Sequence, residues 1–243
     1  GDGKDYFVGG AGADTINGGS GSDTVSYFAS NAAVNVNLRL SSASGGDAQG
    51  DILSSIENLI GSAYDDVIVA STANDAVIIG GAGADRITGH AEASIVLTYA
   101  SYETSTADLT IDLENGIFTG GEAEGDQLVS IRGIIGGSGH DVISAQDMAM
   151  YYGFYFNGGD GDDILTGGSD GDVLKGQAGH DVLLGGDGGD RLYADAEGGD
   201  HLDGQGNLGT LVSQSDAAVY ETTLNVSVDL DAGSDNFGNT LVN

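Results

Sequence analysis

The sequence predicts an all-β solenoid, a right-handed parallel β-roll or β-helix, and three regularities support this prediction. Aspartates recur every nine residues, most regularly at Asp163, Asp172, Asp181 and Asp190. A large aliphatic residue follows two positions after nearly every one of them. Glycines fill the first, second and fourth places of the unit, as in GGDGDDILT at 158–166. A fixed period of this kind is the sequence signature of stacked repeats.

The nine-residue unit is G-G-x-G-x-D-x-U-x, where U is a large aliphatic residue. Its phase holds through four consecutive units from 158 to 193, which a flexible glycine-rich linker has no reason to do. The residues x-U-x predict a very short strand with U inward, and two units make a coil. The predicted inward residues are Ile16, Val25, Ile68, Val77, Ile87, Ile143, Leu165, Leu174, Leu183, Leu192 and Leu202.

The composition narrows the class of partner. The 243 residues include 6 Lys plus Arg against 38 Asp plus Glu, a formal charge of −32. Nucleic acids and anionic membranes need basic patches, so both are excluded as main partners. Hydrophobic residues make up 40% of the chain, too many for a disordered acidic tail. There is no cysteine, and no apolar run approaches the roughly 20 residues of a membrane helix. Cations are therefore the partners that this acidic composition favours.

The turns between the strands offer oxygen ligands. Glycines there permit positive φ and leave the backbone carbonyls uncovered. Carbonyl and carboxylate oxygens suit Ca²⁺, which takes six to eight of them. We therefore predict calcium between stacked turns, shared by repeats n and n+2. About ten ions would bring about +20 and offset most of the charge of −32.

Two longer segments, 26–61 and 98–136, interrupt the repeats and resemble each other. GGDAQGD at 45–51 matches GGEAEGD at 120–126, and each block follows an alternating stretch, VNVNL (34–38) or LTIDL (109–113), that predicts a half-buried strand. A third copy opens near 211 and contains LNVSVDL (224–230). It stops at GNTLVN, which predicts a truncated copy; a degenerate terminal cap is the alternative. The predicted segments are 1–97, 98–212 and 213–243.

Together, these nonapeptides and inserts resemble RTX (repeats-in-toxin) calcium-binding proteins. The chain is similar to the C-terminal region of serralysin-type metalloproteases, to R-modules of mannuronan epimerases and to segments of large bacterial adhesins. The resemblance implies type I secretion from a Gram-negative bacterium, and calcium ligands at matching positions. In good repeats the implied ligand aspartates are Asp14, Asp23, Asp85, Asp141, Asp163, Asp172, Asp181 and Asp190, and in degraded repeats Asp5, Asp66, Asp75 and Asp200. The matching glycines are Gly9, Gly10, Gly12, Gly18, Gly19, Gly21, Gly80, Gly83, Gly136, Gly139, Gly158, Gly159, Gly161, Gly167, Gly176, Gly179, Gly185, Gly186 and Gly188.

Four places depart from the unit, and we expect weak or missing calcium there. Tyr64 replaces a glycine, and Ser94 and Gly209 replace aspartates. The segment 145–157 is too long and has lost the motif. We expect the run 158–193 to be the best occupied.

The sequence predicts no catalytic site. A zinc protease needs two histidines one helical turn apart with a glutamate between them, and the four histidines never form that pattern. His140 and His180 occupy the variable place before the ligand aspartate, which is a turn surface. The aromatic residues Tyr151, Tyr152, Phe154, Tyr155 and Phe156 could form a binding platform, but we favour a bulge that covers a break in the core.

Two functions of different class remain open. The first is a calcium-folded structural module of a large secreted or cell-surface protein, such as an adhesin or extracellular assembly. The second is an accessory module of an extracellular protease or polysaccharide-modifying enzyme, which aids secretion and grips substrate. Besides calcium, the fitting partners are other domains of the same long chain or an extracellular polymer.

Overall fold

The computed structural model of the chain describes residues 1–90, 95–150, 152–194 and 199–204, and the backbone of two later strands. The regular elements of this part are short β-strands and two 3₁₀ turns, Gly46–Ala48 and Gly121–Ala123. No helix there is long and apolar enough to cross a membrane. The all-β prediction is confirmed. Ser94, Tyr151, Gly209 and most of the third insert lie outside the described residues.

The described strands number 26, and most have three residues. In chain order they are β1 (Asp2–Gly3), β2 (Tyr6–Phe7), β3 (Thr15–Asn17), β4 (Ser20–Gly21), β5 (Thr24–Ser26), β6 (Asn35–Asn37), β7 (Ser42–Ser44), β8 (Ile52–Ser54), β9 (Asn58–Ile60), β10 (Val67–Val69), β11 (Ala76–Ile79), β12 (Arg86–Thr88), β13 (Thr98–Ser101), β14 (Thr110–Asp112), β15 (Ile117–Thr119), β16 (Gln127–Val129), β17 (Gly133–Ile135), β18 (Val142–Ser144), β19 (Tyr155–Asp160), β20 (Ile164–Thr166), β21 (Val173–Ala178), β22 (Val182–Leu184), β23 (Arg191–Ala194), β24 (His201–Asp203), β25 (Ala217–Tyr220) and β26 (Ser227–Asp229).

The first of two compact units comprises Gly1–Tyr102 and Gly121–Gly133. Strands β2, β5, β9, β11 and β13 pair in parallel as one sheet of this unit. Strands β6, β10, β12 and β16 form another, β7 pairs antiparallel with β6, and β3 pairs with β8. From β8 to β13 the chain alternates between the two sides, as stacked coils require.

The second unit comprises Glu103–Gly120 and Ile134–Asn243. The strand order on one side is β17, β19, β21, β23 and β25. On the other side it is β14, β18, β20, β22, β24 and β26, all parallel, with β15 antiparallel against β14. Each unit is therefore a parallel β-roll, as the nine-residue period predicts.

The predicted inward residues form the core, with one exception. Leu165 of β20 lies beside Ile143 and Leu183 in the neighbouring strands, and all three are fully buried. Val77 was predicted to point inward, and that prediction is wrong. It is half-buried, while Ala76 and Ile78 on either side of it are fully buried. Strand β11 pairs Ile78 with Leu59, so this degraded repeat is shifted by one residue and the pleat turns Val77 outward.

Both inserts follow one plan. Each contains an antiparallel hairpin, a 3₁₀ turn and a further strand: β6, β7 and β8 in the first, β14, β15 and β16 in the second. The half-buried strands predicted in VNVNL and LTIDL are confirmed, because Val36 and Ile111 are buried between outward-facing polar neighbours. LNVSVDL lies largely outside the described residues.

The irregular segment 145–157 contributes to the core. Phe154 and Phe156 are buried, and their ring centroids lie 5.5 Å apart. Tyr152 is exposed and Tyr155 is half-buried. For the two phenylalanines, the interpretation as a bulge that covers the core is therefore confirmed.

Candidate calcium sites

The motif aspartates of successive coils are joined by hydrogen bonds, and we call this arrangement the aspartate ladder. The backbone N–H of one aspartate donates to Oδ1 of the aspartate in the next coil. Asp141 donates in this way to Asp163 over 2.8 Å, and Asp163 to Asp181 over 2.9 Å. The other described steps are Asp5 to Asp23, Asp66 to Asp85, Asp172 to Asp190 and Asp181 to Asp200, all 2.8–2.9 Å.

The first glycine of each motif makes room for the aspartate. A Cβ built on Gly9 would lie 2.8 Å from Oδ2 of Asp14, and one on Gly136 would lie 2.5 Å from Oδ2 of Asp141. The first glycines of the other repeats meet their aspartates even more closely: Gly18, Gly80, Gly158, Gly167, Gly176 and Gly185. None of these has a positive φ. The first place of the motif therefore requires glycine because a side chain would collide with the aspartate. The sequence analysis had explained the turn glycines by positive φ instead.

The fourth glycine has a positive φ in most motif turns, although not at Gly139, and there the backbones of successive coils are in close contact. Gly161 has a φ of 116°, and a Cβ on it would collide with the carbonyl oxygen of Gly139 in the preceding coil. Gly179 stands in the same way against the carbonyl oxygen of Gly161. Stacked turns therefore place backbone carbonyl oxygens against the fourth glycine of the next coil, two residues before its ladder aspartate.

Several ladder carboxylates keep one oxygen without a donor. Oδ2 has no hydrogen-bond partner and is buried in Asp14, Asp23, Asp85 and Asp163. A buried anionic oxygen without a partner is strongly unfavourable unless a cation compensates it. Among the described residues no three acidic or histidine side chains converge. A cation here would therefore take most of its oxygens from the backbone, and the donor set fits Ca²⁺.

Burial raises the pKa of the ladder acids. The pKa of Asp85 and of Asp163 is raised to about 8, mostly by loss of hydration and in part by neighbouring carboxylates. The same desolvation raises the pKa of Asp126 and of Asp172 to about 6. Without a compensating cation, burial favours the protonated form of these acids.

The remaining predicted ligands are placed less regularly. Asp75 is exposed and accepts the N–H of Leu97 at 2.7 Å. Oδ2 of Asp5 lies 3.1 Å from the ammonium group of Gly1. Asp200 is buried and accepts the N–H of Asp181 at 2.9 Å.

Two aspartates that the sequence did not single out also belong to the ladder. Asp14 donates its N–H to Oδ1 of Asp51 over 2.8 Å, and Asp85 donates to Oδ1 of Asp126 over 2.7 Å. Oδ2 of Asp51 accepts the hydroxyl of Tyr27 at 2.8 Å. These aspartates end GGDAQGD and GGEAEGD, so the repeated acid at the end of the two blocks was the available signal.

The second insert repeats this arrangement. Oδ2 of Asp126 accepts the hydroxyl of Tyr102 at 2.8 Å, and both tyrosines are buried. Glu57 continues the ladder elsewhere in the first unit, because Oε2 accepts the N–H of Asp23 at 3.0 Å. The inserts therefore extend the ladder with neutral hydroxyl donors.

The residues at the variable place before each ligand aspartate form a second, outer row of hydrogen bonds. Asp162 donates its N–H to Nδ1 of His140 over 2.8 Å, and His180 donates its N–H to Oδ1 of Asp162 over 2.9 Å. His140 donates its own N–H to Asp108 over 2.9 Å. These exposed side chains therefore accept backbone N–H groups across the coils.

Stacked glycine turns, a buried ladder of carboxylates and carbonyl oxygens define a calcium-binding β-roll. The family model of the RTX calcium-binding nonapeptide repeat matches the chain in four copies, at residues 1–27, 54–78, 72–93 and 157–192. The chain therefore contains RTX calcium-binding nonapeptide repeats, and these repeats form a structural calcium-binding module. Comparison with curated proteins gives no significant match.

Proposed function

We propose that the chain is a calcium-folded structural module of a large secreted or cell-surface protein of the adhesin or extracellular-assembly type. The observation that supports this most directly is the row of buried carboxylate oxygens without donors, such as Oδ2 of Asp85 and Asp163. Calcium ions would be held by these oxygens and by the carbonyls of the stacked turns. When bound, calcium supplies the positive charge that the buried acids lack.

The charge of the whole chain couples calcium to folding. With 38 acidic residues against 6 basic ones, the compact state repels itself. The sites exist only where two coils are stacked, so the free energy of binding becomes free energy of folding. A chain of this kind is unfolded without calcium and compact with it.

Export is the setting that fits this coupling. Calcium is scarce inside cells and abundant outside, and extracellular modules use correspondingly weak sites. The chain would pass through a type I secretion system unfolded and fold on arrival outside a Gram-negative cell. Its role there is mechanical and adhesive, and we assign it no reaction.

Size-exclusion chromatography with light scattering tests this proposal. The isolated chain is run in EGTA and in increasing calcium, with Mg²⁺ as the matched control. We expect a large decrease in hydrodynamic radius with calcium alone, because Mg²⁺ keeps its waters and demands octahedral geometry. An equally compact chain in EGTA would refute calcium-coupled folding.

One observation favours the alternative, an accessory module that grips the substrate of an extracellular enzyme. The Lys175 ammonium lies 5.3 Å from the ring centroid of Tyr155 and 5.2 Å from that of Tyr193. All three side chains are half-buried on neighbouring strands of the second unit. The faces of the two tyrosines suit contact with a sugar ring, so this group of side chains fits a polysaccharide.

Native gels that contain a neutral polysaccharide test the alternative in calcium. Retardation that Tyr155→Ala and Tyr193→Ala abolish, and that Tyr6→Ala leaves unchanged, would favour the accessory module. Equal migration of all four proteins with and without the polysaccharide would exclude this surface as a gripping site.

A further inference from the structure

The motif turns have two backbone conformations, which differ at the second residue of the repeat. In six turns this residue has a positive φ, and we call them open turns. In three turns it has no positive φ and its N–H donates to the aspartate, and we call them closed turns. These are nine of the ten motif turns described at both positions. The tenth, the degraded turn of Ser71 and the exposed Asp75, has no positive φ and belongs to neither group. The open turns pair Gly10 with Asp14, Gly19 with Asp23, Gly81 with Asp85, Gly159 with Asp163, Gln177 with Asp181 and Gly186 with Asp190. The closed turns pair Ser62 with Asp66, Gly137 with Asp141 and Gly168 with Asp172.

A closed turn satisfies its own carboxylate. The N–H of the second residue donates to Oδ2 of the aspartate four residues later: Ser62 to Asp66 over 2.6 Å, Gly137 to Asp141 over 2.9 Å and Gly168 to Asp172 over 2.6 Å. Oδ1 accepts another backbone N–H in each case. Both carboxylate oxygens of the aspartate in a closed turn therefore accept a hydrogen bond.

The open turns of Asp14, Asp23, Asp85 and Asp163 lack this hydrogen bond to Oδ2. The four buried Oδ2 atoms without partners in Asp14, Asp23, Asp85 and Asp163 all belong to open turns. Asp23 and Asp163 are 0% exposed and Asp85 is 1% exposed, so water does not replace the missing donor. An oxygen in this situation needs a cation.

The preceding coil decides which conformation a turn adopts. Closed aspartates accept an N–H from Val34, Leu109 or Phe154, which lie in the inserts or in the irregular segment 145–157. Five of the six aspartates of open turns accept an N–H from a motif aspartate, as Asp85 does from Asp66 and Asp163 does from Asp141. The exception is Asp14, which donates to Asp51 and has no such donor among the described residues. Asp190 accepts from Asp172 in the same way. A turn is therefore open where a motif turn precedes it in the stack.

We propose that the open turns bind cations, and that the closed turns replace the cation with their own amide hydrogen bond and bind none. The nine turns would thus take up six calcium ions. The conformation of the turn, which differs at its second and fourth residues, would select the sites. This inference rests on the proposed calcium function and specifies which carboxylates perform it.

Substitution of two adjacent ladder aspartates tests the proposal. Asp163→Asn changes an open turn and Asp141→Asn changes the closed turn of the preceding coil. Bound calcium per chain is counted by equilibrium dialysis with metal analysis. We expect Asp163→Asn to lose one ion and Asp141→Asn to keep the full number. Loss of an ion in Asp141→Asn, or no loss in Asp163→Asn, would overturn the assignment. If the unaltered chain binds no calcium, the proposed function itself fails.

A pair of glycine substitutions gives an independent answer if an asparagine variant does not fold. Gly159 has a φ of 110°, and a methyl group there would collide with the carbonyl oxygen of Gly137. We expect Gly159→Ala to lose one ion. Gly137 has no positive φ, and Ser62 shows that a side chain is accepted at the same place of a closed turn. Gly137→Ala should therefore keep every ion, and an equal loss in both variants would contradict the proposal.

Discussion

Asp141 and Asp163 occupy the same place of the repeat in adjacent coils, and the N–H of Asp141 donates to Oδ1 of Asp163 over 2.8 Å. Their second oxygens nevertheless differ. Oδ2 of Asp141 accepts the N–H of Gly137 at 2.9 Å, whereas Oδ2 of Asp163 is buried without a donor. One carboxylate is satisfied by the backbone, and the next requires something from outside the chain.

Gln177 is the one second residue of an open turn that is not glycine, and its φ is 76°. A side chain in this region costs about 1–2 kcal/mol relative to glycine. We expect Gln177→Gly to raise the free energy of unfolding in calcium by about 1 kcal/mol, measured by denaturant titration. Gln127→Gly on β16 is the control, because its φ is not positive and glycine weakens a strand. Stabilisation by both variants, or by neither, would contradict this explanation.

The hydroxyls of Tyr27 and Tyr102 each donate to a buried ladder carboxylate at 2.8 Å. Loss of the donor leaves the acid unsatisfied, which costs about 1–3 kcal/mol. We expect Tyr102→Phe to lower the melting temperature in calcium by several degrees, and Tyr27→Phe to do the same. The number of bound ions should stay unchanged, because these acids have a hydroxyl in place of a cation. Tyr64→Phe, at a tyrosine 46% exposed, is the control and should change neither quantity.

We expect acidification to stabilise the calcium-free fold in part, because protons neutralise the same buried carboxylates that calcium would compensate. The pKa of Asp163 and Asp85 in the folded chain is raised to about 8, and that of Asp172 to about 6, because burial disfavours the charged form. A raised pKa gives stability that is complete below the unfolded value and is lost as the pH rises through the folded value. After removal of calcium with a chelating resin, we therefore expect β content to increase as the pH falls from about 8 to about 4.

The matched experiment is the same acidification in saturating calcium. There the protons compete with the ions for the carboxylates, so stability should fall with pH. Circular dichroism measures both series. Parallel pH dependence with and without calcium would show that the ladder acids do not control folding.

The nine-residue period predicts the strands and their inward residues, because the core and the repeat share one phase. Leu165 and Leu183 illustrate this, and Val77 shows that one degraded repeat is enough to shift it. The conformation of the second residue was not predictable in this way. Gly137 and Gly159 are the same residue type in the same motif, yet only Gly159 has a positive φ. The difference comes from the preceding coil, which lies far away in sequence.

The ladder members in the inserts were missed for a related reason. Asp51 and Asp126 follow no nonapeptide, and their tyrosine partners stand 24 residues earlier in the sequence. The pairing becomes visible only when the insert returns to the stack and places the acid beside Asp14 or Asp85.

Far-UV circular dichroism of the isolated chain tests the central claim most directly. The chain is treated with EGTA, titrated with Ca²⁺ and, separately, with Mg²⁺. We predict a cooperative transition from coil to β-structure with calcium alone, because the buried carboxylates and the charge of −32 both oppose folding without it. A full β-spectrum in EGTA that calcium leaves unchanged would contradict the claim, because the aliphatic core would then suffice for folding.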